Sequence, residues 1–333
     1  MSSLNSLLDR AQSFAPTYYK QHLSNHLPMS LVALHALGAT DEQTERGFAQ
    51  FSRKLEPAAQ TTEPCANWPR WRGQREAFAA VRAHFVREIS ARGVEATLRA
   101  ALPLLIDGVG AAAFHGLLRA ASAIVARHDD ELASGLAHWA CSHRPLVRSR
   151  QTDATIVAVH PAQKLELREW LFEITSIPVP QKSPESMIAT LMHDYSKSET
   201  FQNAAPRLRV RDDTLRELAN IALEHYLRSR NFTVLHLITG THAMRLLLPY
   251  CDTPELALRH YAIAFAAGVA ASGIKADAAA LPVALRSWQT LREIACGDDD
   301  EHVIKLIYAC REEFQVNADE RYRQAASLVL RRD

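Results

Sequence analysis

The chain has 333 residues, 38 Lys and Arg against 37 Asp and Glu for a formal charge of +1, and is 47% hydrophobic and 23% charged. That balance excludes a disordered or fibrous chain. Near-neutrality with mixed signs argues against a broad surface for nucleic acid or anionic membrane. The five cysteines, Cys65, Cys141, Cys251, Cys296 and Cys310, are scattered without C-x-x-C spacing and read as reduced thiols of a cytoplasmic protein. The opening MSSLNSLLDR lacks a basic n-region and places Asp9 where an export signal needs an apolar run. The richest apolar run, Tyr261 to Ile274, is too short and too rich in small residues to span a bilayer.

Twelve glycines fall well below the ~7% average, and the long Ala, Leu, Arg and Glu stretches are strong helix formers. The expected fold class is therefore all-α, partitioned as a single compact multi-helix domain over residues 1–333. In chain order, three- and four-residue apolar spacing predicts helices over Leu4 to Ala15, Met29 to Leu37, Glu42 to Leu55, Arg75 to Ala91 and Val94 to Leu105. Phe114 to His128 and Glu131 to Cys141 follow. Pro57 to Trp71, Arg144 to Pro161 and Asn203 to Arg211 read as connections, and Thr155 to Val159 is the one strand-like segment. The second half predicts helices over Thr214 to Arg228, Phe232 to Leu248, Glu255 to Ala271, Val283 to Ala295 and Glu301 to Glu313. Helix starts are marked at Ser183-Pro184, Thr253-Pro254 and Asn317-x-x-Glu320.

Fifteen histidines are a high load, and several lie inside apolar helical segments. Buried imidazole is costly unless its nitrogens find partners, so each such histidine is either a hydrogen-bonded core residue or a metal ligand. His22 and His26 stand four apart and share a face if a helix runs through them, but they lack the glutamate of a zincin motif. Pro28 restricts Leu27 and predicts a helix break just after His26. His115 lies among small residues with Arg119 one turn on. His236 and His242 are separated by about 600° of helical rotation, so either the helix is distorted at Gly240 or one of the two serves an outer role. His302 and Lys305 share a face. An ammonium has no lone pair, so Lys305 is a surface bystander, a neutral amine, or, after reaction with carbon dioxide, a carbamate with an anionic oxygen.

NHLPM with LVALHALGA (Asn25 to Ala39), LPLLIDGVGAAAFHGLLRAASA (Leu102 to Ala123), GLAHWA (Gly135 to Ala140), LHLITGTHAMRLLLP (Leu235 to Pro249), DDEHVIKLIYACREE (Asp299 to Glu313) and YRQAA (Tyr322 to Ala326) together resemble the questin oxidase family. The resemblance implies an all-helical, flavin-independent oxidoreductase that uses NADPH and oxygen to insert oxygen beside a ring carbonyl and open an anthraquinone-type aromatic ring. No G-x-G-x-x-G loop or P-loop is found, in keeping with no Rossmann-bound flavin. Oxygen activation without flavin calls for a redox metal or a substrate that itself reduces oxygen, and imidazole suits non-heme iron.

Carried over residue by residue, the resemblance implies His26, His115, His236, His242 and His302 as metal candidates, with Lys305 as a carbamate ligand. One position must stay open for oxygen, so at most four of the histidines are expected at the metal, with His236 or His302 the outsider. Arg119 and Arg245 are either holders of a phenolate or quinone oxygen or partners in structural salt bridges. The partners expected are a small aromatic substrate and O2, with no nucleic acid and no membrane. Two other readings compete. An HD-type metal-dependent phosphohydrolase would use His128-Asp129 and His193-Asp194, and a non-catalytic helical ligand-binding protein would show the same amphipathic helices.

Overall fold

The computed structural model describes residues 3–19, 23–59, 63–148, 163–178, 186–274 and 279–330. Helices dominate: α1 Leu4–Ala11, α2 Leu27–Ala36, α3 Asp41–Ser52, α4 Phe78–Leu105, α5 His115–Ala126, α6 Asp129–Ser142, α7 Leu167–Thr175, α8 Ile188–Ser196, α9 Glu199–Ala204, α10 Thr214–Ser229, α11 Phe232–Leu247, α12 Pro254–Ser272, α13 Trp288–Gly297, α14 Glu301–Asn317 and α15 Arg321–Leu328. The only sheet among the described residues is a two-stranded antiparallel ribbon, β1 Thr17–Tyr18 with β2 Leu23–Ser24. This all-α architecture buries a continuous apolar cluster that runs from Leu7 to Leu328. No helix among the described residues is long and apolar enough to cross a membrane.

The helix starts follow ordinary capping chemistry. Thr40 closes a capping box with Gln43 before α3, Asn231 accepts from the Thr233 and Val234 amides before α11, and Asp300 accepts from the His302 amide before α14. α4 is two helical pieces joined at Gly93, whose φ of 80° is open to glycine at little cost. α12 sits centrally and is buried along nearly its whole length, which its small residues permit by letting neighbours approach closely.

Several expectations need correction. Pro28 does not end a helix: it occupies the first turn of α2, where its missing N–H costs nothing, and His26 becomes the N-cap. The residues after His22 form β2 rather than a helix through His26, and His22 itself lies outside the described residues. Asn317 caps no following helix. It is the last residue of α14, its amide donating to the Glu313 carbonyl and carboxylate, and α15 starts from Glu320 without a side-chain cap. The helix expected from Val283 begins at Trp288, capped by Ser287. Helices α7 and α9 were not anticipated, and α8 begins at Ile188, a few residues after the Ser183-Pro184 start signal. Ser183-Pro184 and Thr155 to Val159 lie outside the described residues.

Candidate functional site: a four-histidine cluster at the wall of a cavity

Four helices contact one another in a closed ring: α2 with α5, α5 with α11, α11 with α14, and α14 with α2. Each carries one histidine towards the centre. His26 caps α2, His115 is the first residue of α5, His236 is one turn into α11, and His302 is the second residue of α14. The rings of His26 and His115 stack with centroids 4.6 Å apart and a 5° interplanar angle. His302 meets His26 edge-on at 4.7 Å, and His236 stands 5.4 Å from both His115 and His302.

A common orientation underlies the cluster. His115 Nδ1 lies 2.5 Å from the Ala112 carbonyl and His236 Nδ1 lies 2.9 Å from the Phe232 carbonyl. His302 Nδ1 is 3.4 Å from Asp300 Oδ1, and His26 Nδ1 faces Glu301 Oε2 at 3.9 Å without a hydrogen bond. With an oxygen acceptor beyond Nδ1 of His115, His236 and His302, the free lone pair of these three belongs on Nε2, the tautomer that outer-shell acceptors impose on metal-binding histidines. The Nε2 atoms of His26 and His115 are 2.7 Å apart.

The cluster disfavours positive charge on its rings. Burial holds His26 and His115 well below the ordinary imidazole range, with neighbouring histidines and Lys305 adding to the effect. His236 is lowered to about 3 and His302 is also lowered, in both cases mainly by burial. Three of the four sit at helix N-termini, whose dipoles further disfavour imidazolium. Neutral imidazoles are nitrogen donors. Among the described residues no group of three or more His, Cys, Asp or Glu side chains stands in a ready-made metal-holding arrangement. What the four rings offer is the donor chemistry and its orientation.

The backbone leading into His115 adopts an unusual turn. Ala112, Ala113 and Phe114 have φ of 49°, 54° and 69°, three successive left-handed residues without a glycine. Such residues cost on the order of 1 kcal/mol or more each and persist only where the surroundings enforce them. Here the turn brings the Ala112 carbonyl back onto the ring of His115 and lays residues Gly110 to Ala113 along the cavity.

That cavity has a volume of about 730 Å³, within the range of small-molecule sites. All four histidines line it, together with Phe232, whose ring packs against His236 at 4.8 Å and His302 at 4.6 Å. The β1–β2 ribbon, the residues around Pro57 and the start of α8 form other walls. Glu301 is buried next to His302 and paired with Lys54, which also lies over the ring of Tyr18.

His242 does not join the cluster. α11 continues regularly through Gly240, so the 600° of rotation places His242 on another face. Its Nδ1 meets Glu313 Oε1 at 2.7 Å, and its ring edges onto Tyr308. The histidine set apart is thus neither His236 nor His302, the two expected. Arg245 turns away from the large cavity too, donating from Nε to Glu313 at 2.7 Å. Burial would raise Glu313, but the His242 hydrogen bond and the charge of Arg245 hold it below the usual carboxylate value. Arg119 is likewise removed from the cavity wall. It is 1% exposed and forms a two-pronged ion pair with Glu131 at 2.5 and 2.9 Å. Both guanidinium groups thus meet a carboxylate on a neighbouring helix, though Nη1 of Arg119 stays buried without a hydrogen-bond partner.

Lys305 is no surface bystander. It is buried between the cluster and a second, small cavity that it lines with His242 and Tyr308. Burial lowers its amine to about 8, against the opposing pull of Glu301 and Asp300. His128, by contrast, is used structurally: its Nδ1 accepts from the Glu131 amide and its Nε2 lies 3.1 Å from Asp9. Asp194, of the other His-Asp pair, binds Lys197 on its own helix.

Sequence reasoning missed Glu131, Glu301 and Glu313, the carboxylates that fix these groups, and it missed Phe232 and His138 in the cavity. His138 carried a usable signal, since it interrupts an apolar helical run as the other buried histidines do.

A family model described as questin oxidase-like matches residues 23–310, which include all four clustered histidines and Lys305. The chain belongs to the questin oxidase-like family. Membership points to an oxidoreductase of the kind that oxidises aromatic polyketides. No curated protein matches the chain. The questin oxidase-like match ends just before Glu313, so the partner of His242 and Arg245 falls outside it.

Proposed function

We propose that this protein is a flavin-independent oxygenase that inserts oxygen beside a ring carbonyl of an anthraquinone-type aromatic and opens that ring. The observation that carries this reading is the convergence of four uncharged imidazoles, three of them oriented by acceptors, from four helices on the wall of one cavity of suitable size. His26, His115, His236 and His302 would hold a non-heme iron ion, and Lys305 would join them as a carbamate once its neutral amine has taken up carbon dioxide. Bound there, iron would supply the activation of dioxygen that no side chain can provide. NADPH would supply the electrons that a monooxygenation consumes.

The chain's own contribution is positional. The His115 and His236 rings are held by backbone carbonyls, which fixes them more rigidly than flexible side-chain partners would. Phe232 offers an apolar ring edge beside the cluster, suited to a flat polycyclic ligand. A flat ligand seated against Ala111, Leu146 and Ile188 would displace water from that part of the wall, which strengthens polar contacts made beside it.

Metal analysis of protein purified without a histidine tag, followed by an oxygen electrode with 1,8-dihydroxyanthraquinone and NADPH, tests the reading. Stoichiometric iron with ring-dependent oxygen uptake is expected. Protein that takes up no first-row metal would overturn it.

A further inference from the structure

The cavity has a second polar element, on α6, that belongs to none of the groups above. His138 lines it and is only 3% exposed, yet neither ring nitrogen has a hydrogen-bond partner. The Pro16 carbonyl approaches the ring without making a hydrogen bond. His115, His236 and His302 each have Nδ1 turned to an oxygen and His26 has a partner at Nε2, so among these buried rings His138 is the one with both nitrogens unpaired. A buried polar group left unpaired costs about 1–3 kcal/mol, and a native site keeps such a group where a ligand or water completes it.

The surroundings determine what ligand suits it. Arg119, whose charge acts on His138, pairs through Nε and Nη2 with Glu131, and Glu131 also accepts from Gln12 at 2.7 Å, so this carboxylate is committed elsewhere. Burial first, then the charges of Arg119 and Arg75, hold the imidazole down to about 3, so it remains neutral and presents a lone pair rather than a positive charge. A neutral ring nitrogen with a free lone pair accepts a hydrogen bond from a hydroxyl. α5 and α6 meet at unusually close range, with a Cβ at Gly116 falling 2.6 Å from Trp139 Cβ and one at Gly135 falling 2.8 Å from the Ala120 amide. That approach carries His115 and His138 to the same cavity on adjacent helices.

We propose that His138 is the recognition residue for a ring hydroxyl of the substrate, accepting the phenolic O–H while the four-histidine cluster faces the carbon framework. The inference rests on the aromatic-substrate reading above and adds to it a requirement for a hydroxylated ring.

The test is a spectroscopic titration of the full chain, as wild type, His138→Leu and His138→Gln, with two probes: 2,6-dihydroxyanthraquinone, whose hydroxyls are not tied to the ring carbonyls, and unsubstituted anthraquinone. Wild type is expected to prefer the hydroxylated probe. His138→Leu should lose about tenfold in affinity for it, with little change for anthraquinone, and His138→Gln, which retains an acceptor, should recover much of the loss. Iron content should be equal in all three. Equal losses for both probes, or no loss for either, would overturn the role of His138 while leaving the aromatic-substrate reading intact. A wild-type protein that binds neither probe would overturn both. Should His138→Leu fail to fold, His138→Phe with the same two probes decides the question on the same terms.

Discussion

The imidazoles of His26 and His115 lie parallel, 4.6 Å between centroids, with their Nε2 atoms 2.7 Å apart. His115 donates from Nδ1 to the Ala112 carbonyl, so its Nε2 carries a lone pair facing His26. Two such nitrogens repel unless a proton or a cation stands between them. In the structure as it stands His26 must donate across the gap; under the proposed function a metal ion would take both nitrogens and displace that proton.

Removing either ring should therefore reduce iron affinity at least tenfold. His242→Ala, which removes a ring tied to Glu313 on another face, should leave iron content close to that of the parent. Inductively coupled plasma analysis of the three variants separates the outcomes, and equal loss in all three would remove His242's distinction from the cluster.

Gly116→Ala should destabilise by about 1–3 kcal/mol, because the added methyl meets the backbone and Cβ of Trp139 at 2.7 and 2.6 Å, neither of which can swing aside. Urea unfolding reads this directly. The same substitution should weaken dye binding, since α5 and α6 bear His115 and His138.

Glu131→Gln strands the buried Arg119 without its counter-charge and should cost about 3–5 kcal/mol. The double change Arg119→Met with Glu131→Leu, which removes both charges, should cost less than the single one. A double variant less stable than Glu131→Gln would show that the pair does more than neutralise itself.

Acid should weaken the chelator-treated protein before its carboxylates titrate. His138 and His236 are held at about 3 in the folded chain, against an ordinary 6.5 once unfolded. Above 6.5 neither state is protonated and stability is complete. As pH falls from there towards 3, only the unfolded chain takes up these protons, and each histidine removes about 1.4 kcal/mol per pH unit. Urea midpoints between pH 7.5 and 5 check this, and His138→Leu should show a shallower decline than wild type.

Phe232 is 52% exposed although it packs on two cluster histidines. Phe232→Ala should change stability by under about 1 kcal/mol and lower the affinity for 1,8-dihydroxyanthraquinone several-fold by calorimetry. Unchanged affinity would place the ring outside the binding surface.

The local features were legible in the chain. Apolar spacing and scarce glycine dictate helices because both act over one or two turns, and the histidines embedded in apolar runs announce that buried imidazoles need partners. The rotation between His236 and His242 already required that a regular helix separate them. Convergence was not legible in spacing and came only through the family resemblance, since His26, His115, His236 and His302 are brought together by contacts between α2, α5, α11 and α14 that span most of the sequence. The same holds for the arginines: Arg119 and Arg245 look available along the chain, and only the docking of α6 and α14 presents Glu131 and Glu313 to absorb them. The residue left unpaired is likewise decided by packing. His138 resembles its fellow histidines in sequence, and it differs because the chain closes around it with the Pro16 carbonyl nearby but no partner in hydrogen-bond geometry.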